Sequence, residues 1–119
     1  MPDLVRISLL YDFYGAFLTE KQREFFELHF FKDWSLSEIA KNYGVTRQNV
    51  FDVVHRSTAL LEDYEKKLGM VERFLTMTRD IKRILKSLEE LEPFVTGEGK
   101  AKLEKIHNEL AMLIKEGCE

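Results

Sequence analysis

The chain contains 119 residues, of which 45% are hydrophobic and 33% are charged, a balance typical of a globular protein with one core. Its only cysteine, Cys118, excludes an internal disulfide, and the sequence contains neither a signal peptide nor an apolar run long enough to span a membrane. These features predict a cytoplasmic protein that is one domain, or one domain with a helical appendage.

The charge of the chain limits the kind of nucleic-acid site that it can carry. The formal net charge is −3, and the two halves are alike, with nine basic and eleven acidic side chains in residues 1–69 and nine and ten in residues 70–119. A free-standing nucleic-acid-binding domain is usually basic on at least one face. Any nucleic-acid site must therefore be a local patch.

The predicted fold class is all-α, because glycine and proline are sparse and no alternating strand pattern is present. Asp3 can cap a first helix that ends at about Gly15. Thr19 and Gln22 form a capping box for a second helix that ends at about Phe31. The second helix carries more apolar residues than one stripe needs, so we expect it to pack against neighbours on two sides.

The stretch from Ser35 to Arg56 has the spacing of a helix-turn-helix. Ser35 and Glu38 form a capping box, and Ala40 is small where two helices must approach closely. Gly44 can adopt the positive φ angle that ends the first helix and turns the chain. The other structural positions are the turn residue Val45, the cap of the second helix at Thr46, and the inner face Val50, Val53, Val54 and Ser57. In such a unit the second helix is the recognition helix.

The outward face of the recognition helix carries side chains that can contact nucleic acids. Asn and Gln can read adenine edges, Arg can read guanine, and a helix N-terminus suits a phosphate. Asp52 lies at the centre of this face, where it repels phosphates, and an Asp52–Arg56 ion pair is a plain structural alternative. Phe51, beside the face, either stacks on a base or packs against another helix. The candidate contact residues are Thr46, Arg47, Gln48, Asn49, Asp52, His55 and Arg56.

Two long helices are predicted after the recognition helix, which continues to about Lys67 and is broken at Gly69. They span residues 70–91 and about 98–115, with a linker at about residues 92–99. Their apolar seams are formed by Phe74, Met77, Ile81, Ile84, Leu85 and Leu88, and by Leu103, Ile106, Leu110 and Leu113. Because the second seam is only about two heptads long, the last helix must pack on the preceding helix or on another subunit.

The expected organisation is a core at residues 1–68 and a helical extension at residues 70–119 that forms a homodimer. The extension also carries a basic stripe at Arg79, Lys82, Arg83 and Lys86. This stripe is either a grip for RNA phosphates or an ordinary solvated face, and nearby glutamates favour the solvated face.

The sequence contains no pattern that points to catalysis, a metal or a cofactor. His29, His55 and His107 lie on three different predicted helices, without the carboxylates or cysteines that complete known metal motifs. No phosphate-binding loop or nucleophile motif is present. We therefore expect a protein that is not an enzyme and binds no metal or cofactor.

The stretch LTEKQREFFELHFFKDWSLSEIAKNYGVTRQNV resembles region four of bacterial sigma factors, which reads promoter DNA. Residues 7–68 resemble more specifically the YlxM family of small helix-turn-helix proteins, through LLYDFYGAFLTEKQ, SLSEIAKNYGVTRQNV and LLEDYEKKLGM. The resemblance implies an all-helical, sigma-region-four-like fold, so the expected architecture is a sigma-region-four-like helix-turn-helix core followed by the long C-terminal helices that the apolar spacing predicts. It also implies an accessory or regulatory role in the signal recognition particle, through the RNA of the particle or its GTPase.

Three functional hypotheses follow from these patterns. The first is a nucleic-acid-binding adaptor of the signal recognition particle, and the second is a dimeric DNA-binding transcription regulator. The third is a protein–protein module whose helix-turn-helix no longer binds nucleic acid. Reversing the charges of Arg47 and Arg56 separates the third from the other two, because under that hypothesis function survives the change.

Overall fold

A computed structural model describes residues 3–117, with side chains described as far as residue 114. This part of the chain is all-α and contains no strand, which confirms the predicted fold class. Its helices are α1 (Leu4–Tyr14), α2 (Glu20–Phe30), α3 (Leu36–Tyr43), α4 (Arg47–Leu68), α5 (Met70–Leu91) and α6 (Glu98–Gly117). Short 3-10 turns follow α1 and α5. Cys118 lies outside the described residues.

The first two helices begin where their caps predict. The Asp3 carboxylate accepts a hydrogen bond of 3.0 Å from the Val5 N–H at the start of α1. At the start of α2, the Thr19 hydroxyl accepts from the Gln22 N–H at 3.2 Å, and the Gln22 side chain accepts from the Thr19 N–H at 2.9 Å. Both orphan donors of this capping box are therefore satisfied by side chains.

The chain divides into two compact units, one up to Val71 and one from Glu72 onwards. In the first unit, α2 belongs to two apolar clusters, because Phe26 packs with α1 and α4 while Phe25 packs with α3 and α4. The first cluster contains Ile7, Leu10, Tyr14, Leu18, Phe26, Leu61 and Val71. The second contains Phe25, Ile39, Ala40, Val50 and Val54. This double packing accounts for the excess of apolar residues on α2.

A hydrogen-bonded network fixes the junction between α4 and α5. Gly69 adopts a φ of 63° and ends α4, and its N–H donates to the Glu65 carbonyl at 2.8 Å. The Tyr14 hydroxyl donates to Glu65 Oε1 at 2.6 Å, and the Val71 N–H donates to the same oxygen at 2.9 Å. The Met70 N–H donates to Tyr14 Oη at 3.0 Å. The first N–H groups of α5, which no helix can satisfy internally, thereby find partners.

Tyr14 lies at the centre of this network, and its side chain is fully buried. Burial, together with the hydrogen bond to Glu65, raises the pKa of the Tyr14 hydroxyl. We predict that Tyr14→Phe lowers the free energy of unfolding by about 1–3 kcal/mol, because Met70 loses its acceptor and Glu65 loses a donor in a partly buried site. Urea denaturation followed by circular dichroism measures this loss.

Tyr64→Phe is the matched control for the Tyr14 variant. The Tyr64 ring stacks on Tyr14 with centroids 6.0 Å apart, but its hydroxyl makes no hydrogen bond with the described residues. The control should leave stability within about 0.5 kcal/mol of the wild type. Equal losses in the two variants would show that the hydroxyl network contributes nothing specific.

The second unit is built from α5 and α6, in which α6 folds back along α5. The two helices are joined by the 3-10 turn Glu92–Phe94 and by the residues up to Gly97. Leu103 is buried, and His107 Nε2 lies 3.2 Å from Glu89 Oε1. The sequence predicted that α6 packs either on the preceding helix or on another subunit. The structure shows contact with the preceding helix, α5. Among the described residues, no helix combines the length and apolar character that crossing a membrane requires.

Candidate nucleic-acid interface

The helix-turn-helix begins with a complete capping box on α3. The Ser35 hydroxyl accepts from the Glu38 N–H at 3.0 Å, and Glu38 Oε1 accepts from the Ser35 N–H at 3.1 Å. These hydrogen bonds lower the pKa of the Glu38 carboxyl group. The carboxylate is therefore kept in its charged form at the N-terminus of α3, where the helix dipole favours a negative charge.

The turn between α3 and α4 depends on the backbone conformation of Gly44. Its φ of 67° lies in the left-handed region, and nothing within 4 Å would clash with an added Cβ. Glycine is thus favoured by the φ angle and not by a lack of space. The Val45 N–H then donates to the Ala40 carbonyl at 3.0 Å, and the Thr46 hydroxyl caps α4 by accepting from the Asn49 N–H at 3.0 Å.

Burial holds the recognition helix, the N-terminal half of α4, against the rest of the first unit. Val50, Val54 and Ser57 are buried on its inner face. The Ser57 hydroxyl donates to the Val53 carbonyl at 2.7 Å, so this buried polar group is satisfied within α4. Ala40 of α3 is also buried and allows the two helices to pack closely. The opposite face of α4 is therefore presented to solvent.

The structure exposes most of the candidate contact residues on that outer face. The exposed residues are Thr46, Arg47, Gln48, Asp52, His55 and Arg56. Asn49 differs from them, because it is half-buried and its Oδ1 atom is enclosed without a hydrogen-bond partner among the described residues. It is the least accessible of the seven predicted contact residues.

The ion pair between Asp52 and Arg56 is not formed. Asp52 Oδ1 instead accepts a hydrogen bond of 2.9 Å from Gln48 Nε2, one turn earlier on α4. Gln48 and Arg56 are each four residues from Asp52, so either side chain can reach the carboxylate, and in the structure the Gln48 amide is bonded to it. Within the described part of the chain, neither Arg47 nor Arg56 makes an ion pair, so both cations face solvent.

An aromatic pair lies on one flank of the outer face. The rings of Phe51 and His55 are parallel, with an interplanar angle of 8° and centroids 5.6 Å apart, and Phe51 is 44% exposed. The ring contact of Phe51 is thus with His55 of its own helix, and its exposed part remains open to either of the two expected roles. The i, i+4 spacing of two aromatic rings is the sequence signal for this pair.

The second predicted basic surface lies on α5, in the other unit. All four of its cations, Arg79, Lys82, Arg83 and Lys86, are exposed. Arg83 Nη1 lies 3.2 Å from Asp80 Oδ1, so one of the four is already paired with an acid on its own helix. This pairing reduces the positive potential of the stripe.

The three histidines serve separate roles, and no cluster of three metal-ligating side chains occurs among the described residues. His29 Nδ1 donates to the Trp34 carbonyl at 3.0 Å, a packing role within the first unit. His55 stacks on Phe51, and His107 contacts Glu89. None of them is placed with the partners that a metal or a nucleophilic reaction requires.

Comparison with known proteins adds a family to this geometry. The family model described as "Putative helix-turn-helix protein, YlxM / p13 like" matches residues 1–101. The chain belongs to the UPF0122 family. A UPF0122 protein of Thermoanaerobacter sp. (strain X514) is 44% identical over 87 residues, which cover 73% of this chain and 74% of that protein. A UPF0122 protein of Desulforamulus reducens is 41% identical over 105 residues, covering 88% of this chain and 87% of its own length.

The UPF0122 match agrees with the helix-turn-helix observed at α3 and α4 and points to nucleic-acid binding. Its description names no enzymatic activity. The match extends through α5 to residue 101, further than the resemblance at residues 7–68. The first helix of the second unit is therefore part of what the UPF0122 family shares.

Proposed function

We propose that the protein is a nucleic-acid-binding accessory or regulatory protein that binds through the outer face of the N-terminal half of α4. The observation that carries this proposal is the position of two unpaired cations on that face. Arg47 and Arg56 are nine residues apart, which is two and a half helical turns and about 13 Å along the axis. They consequently emerge on opposite flanks of the face, where each can meet a different phosphate strand.

The side chains between the two arginines suit contact with base edges. The hydrogen bond to Gln48 orients the Asp52 carboxylate, which can accept from an exocyclic amino group such as that of cytosine. Asp52 also repels phosphates. We therefore expect a modest affinity that depends strongly on how α4 is positioned against the nucleic acid. The N-terminus of α4, capped by Thr46, offers a favourable position for one further phosphate.

The exposed stack of Phe51 and His55 favours RNA with unpaired bases, and not a regular duplex, as the ligand. Unpaired bases in RNA loops stack on aromatic side chains, whereas the bases of a regular duplex are stacked on each other. A DNA-binding transcription regulator is the second candidate, and the exposed recognition helix of a complete helix-turn-helix supports it. Footprinting on duplex DNA that finds no preferred site would remove this second candidate.

The resemblance to the YlxM family suggests the assembly in which this binding takes place. We propose the signal recognition particle, with the RNA of the particle or its GTPase as the partner. The slightly acidic net charge of −3 is consistent with a protein that needs a second partner to bind tightly, because affinity for nucleic acid rests largely on phosphate neutralisation.

Fluorescence anisotropy tests the proposed function directly. The purified protein is titrated into labelled signal recognition particle RNA, a random RNA of equal length and a random DNA duplex, at two salt concentrations. We expect the particle RNA to bind best, with an affinity that falls as salt rises. Binding that ignores salt would contradict the phosphate-contact mechanism. Absence of binding to all three would favour the protein–protein module.

A further inference from the structure

One row of large apolar side chains on α5 stays in solvent. Within the second unit, Met77, Ile84 and Leu91 follow each other at intervals of seven residues and are 57%, 44% and 46% exposed. They alternate in steps of four and three with Phe74, Ile81 and Leu88, which are half-buried. Together the six residues form the heptad pattern of a helix that packs in a bundle, and one of its two rows has no cover.

The other helix of the second unit repeats this arrangement. On α6, Leu103 is buried and Leu110 is half-buried, whereas Ile106 and Leu113 are 47% and 56% exposed. The steps between these residues are again three and four. The predicted seam of α6 is thus split into a row that packs and a row that faces solvent.

The two exposed rows lie on the same side of the helical pair. In each helix the exposed residue comes three positions after a packed one, as Ile84 follows Ile81 and Ile106 follows Leu103. A two-fold axis perpendicular to the plane of two antiparallel helices exchanges one helix with the other. Residues that lie the same number of positions after a packed residue therefore lie on the same side of the pair. The contact between His107 and Glu89 fixes the register, which places Leu91 level with Ile106.

An antiparallel pair in this register brings Ile84 level with Leu113, so that the exposed residues of the two helices form rungs. The face formed by Met77, Ile84, Leu91, Ile106 and Leu113 is called the open face below. From the exposed fractions of its five residues, its area is on the order of 450 Å², the size of the largest apolar patch on a typical monomer, which is often a site of interaction. Two such faces in contact, with their polar rims, reach about 1,000 Å², the size at which specific interfaces begin.

The charges that border the open face suit a second copy of the chain better than a nucleic acid. The outer flank of α5 carries Arg73 and Asp80, and the outer flank of α6 carries Lys102 and Glu109. Each flank carries both signs of charge, and Asp80 also holds Arg83 in an ion pair of 3.2 Å, so the rim is not the uniformly basic surface that suits phosphates. A rim with both signs can pair with its own two-fold copy, as an isologous interface requires.

We infer that the open face is a dimer interface, in which two copies of the α5–α6 hairpin pair to form a four-helix bundle. Each exposed row then gains the cover that the heptad pattern requires, and the two helix-turn-helix cores belong to one assembly. The interface uses residues of the second unit alone. It is therefore independent of whether the outer face of α4 binds nucleic acid.

Analytical ultracentrifugation tests this inference on the full chain, free of nucleic acid, between about 1 and 100 µM. The wild type should approach twice the 14.1 kDa of one chain as its concentration rises. Leu113→Glu and Ile84→Glu place a charge in the open face and should each weaken association at least tenfold. Met112→Glu is the matched control, since Met112 is 58% exposed and lies on the side of α6 away from α5.

Circular dichroism shows whether each variant is folded. If one open-face variant unfolds, the other is compared with the control. A dimer that is lost with Ile84→Glu or Leu113→Glu and kept with Met112→Glu supports the inference. A wild type that sediments at 14.1 kDa up to about 100 µM overturns it. So does a dimer that Met112→Glu weakens as much as Leu113→Glu.

Discussion

Replacement of Phe26 with alanine is expected to lower the free energy of unfolding by about 3–5 kcal/mol. Phe26 of α2 is fully buried against α1 and α4. Its ring stacks on Tyr11 with centroids 4.9 Å apart and contacts Phe30 at 4.7 Å. Removal of the ring leaves a cavity that these rigid aromatic neighbours cannot fill without leaving their own contacts.

Urea denaturation of the Phe26→Ala variant, followed by circular dichroism, measures this loss. Phe17→Ala is the control, because Phe17 is 60% exposed and its removal creates no cavity. We expect the control to lose less than about 1.5 kcal/mol. Comparable losses in the two variants would mean that the first unit is not organised around the Phe26 cluster.

The double variant Arg47→Glu/Arg56→Glu is expected to weaken binding of nucleic acid at least about 30-fold. Removal of an arginine that contacts a phosphate or a base costs about 1–3 kcal/mol, and two separated positions contribute additively. Both side chains are exposed and unpaired within the described residues, so the free energy of unfolding should change by no more than about 0.5 kcal/mol.

Arg79→Glu/Arg83→Glu is the matched control for the α4 variant. It makes the same change of net charge on α5, where Arg83 is already paired with Asp80. If the outer face of α4 is the site, fluorescence anisotropy should show a several-fold weaker effect for the control, through the general loss of positive potential alone. If the control abolishes binding and the α4 variant retains it, the basic stripe of α5 is the site.

The sequence is most informative where one residue type has one local role. Near neighbours in the sequence determine the capping boxes at Thr19 and Ser35 and the left-handed conformation of Gly44. Spacing alone therefore predicts where α2 and α3 begin and where α3 ends. The network at Tyr14 and Glu65 joins residues 51 positions apart. No local pattern contains such a pairing, because it exists only once α1 and α4 have packed together.

The side chains of the candidate site show a second limit of sequence reasoning. Asp52 has an i, i+4 neighbour on each side, Gln48 and Arg56, and the sequence alone favours the charged pair. The structure pairs Asp52 with Gln48, which changes the interpretation of Arg56 from a neutralised cation to a free one. Likewise the four-three spacing on α6 marks four apolar residues but cannot say which two, here Ile106 and Leu113, remain exposed.

A two-dimensional NMR titration of the ¹⁵N-labelled full chain with the RNA that binds best locates the nucleic-acid contacts residue by residue. If the outer face of α4 is the site, the backbone signals of residues 46–56 shift first and most, with smaller changes elsewhere in the first unit. Shifts confined to residues 79–86 would move the site to α5. A spectrum that stays unchanged at saturating RNA would contradict nucleic-acid binding by this protein alone.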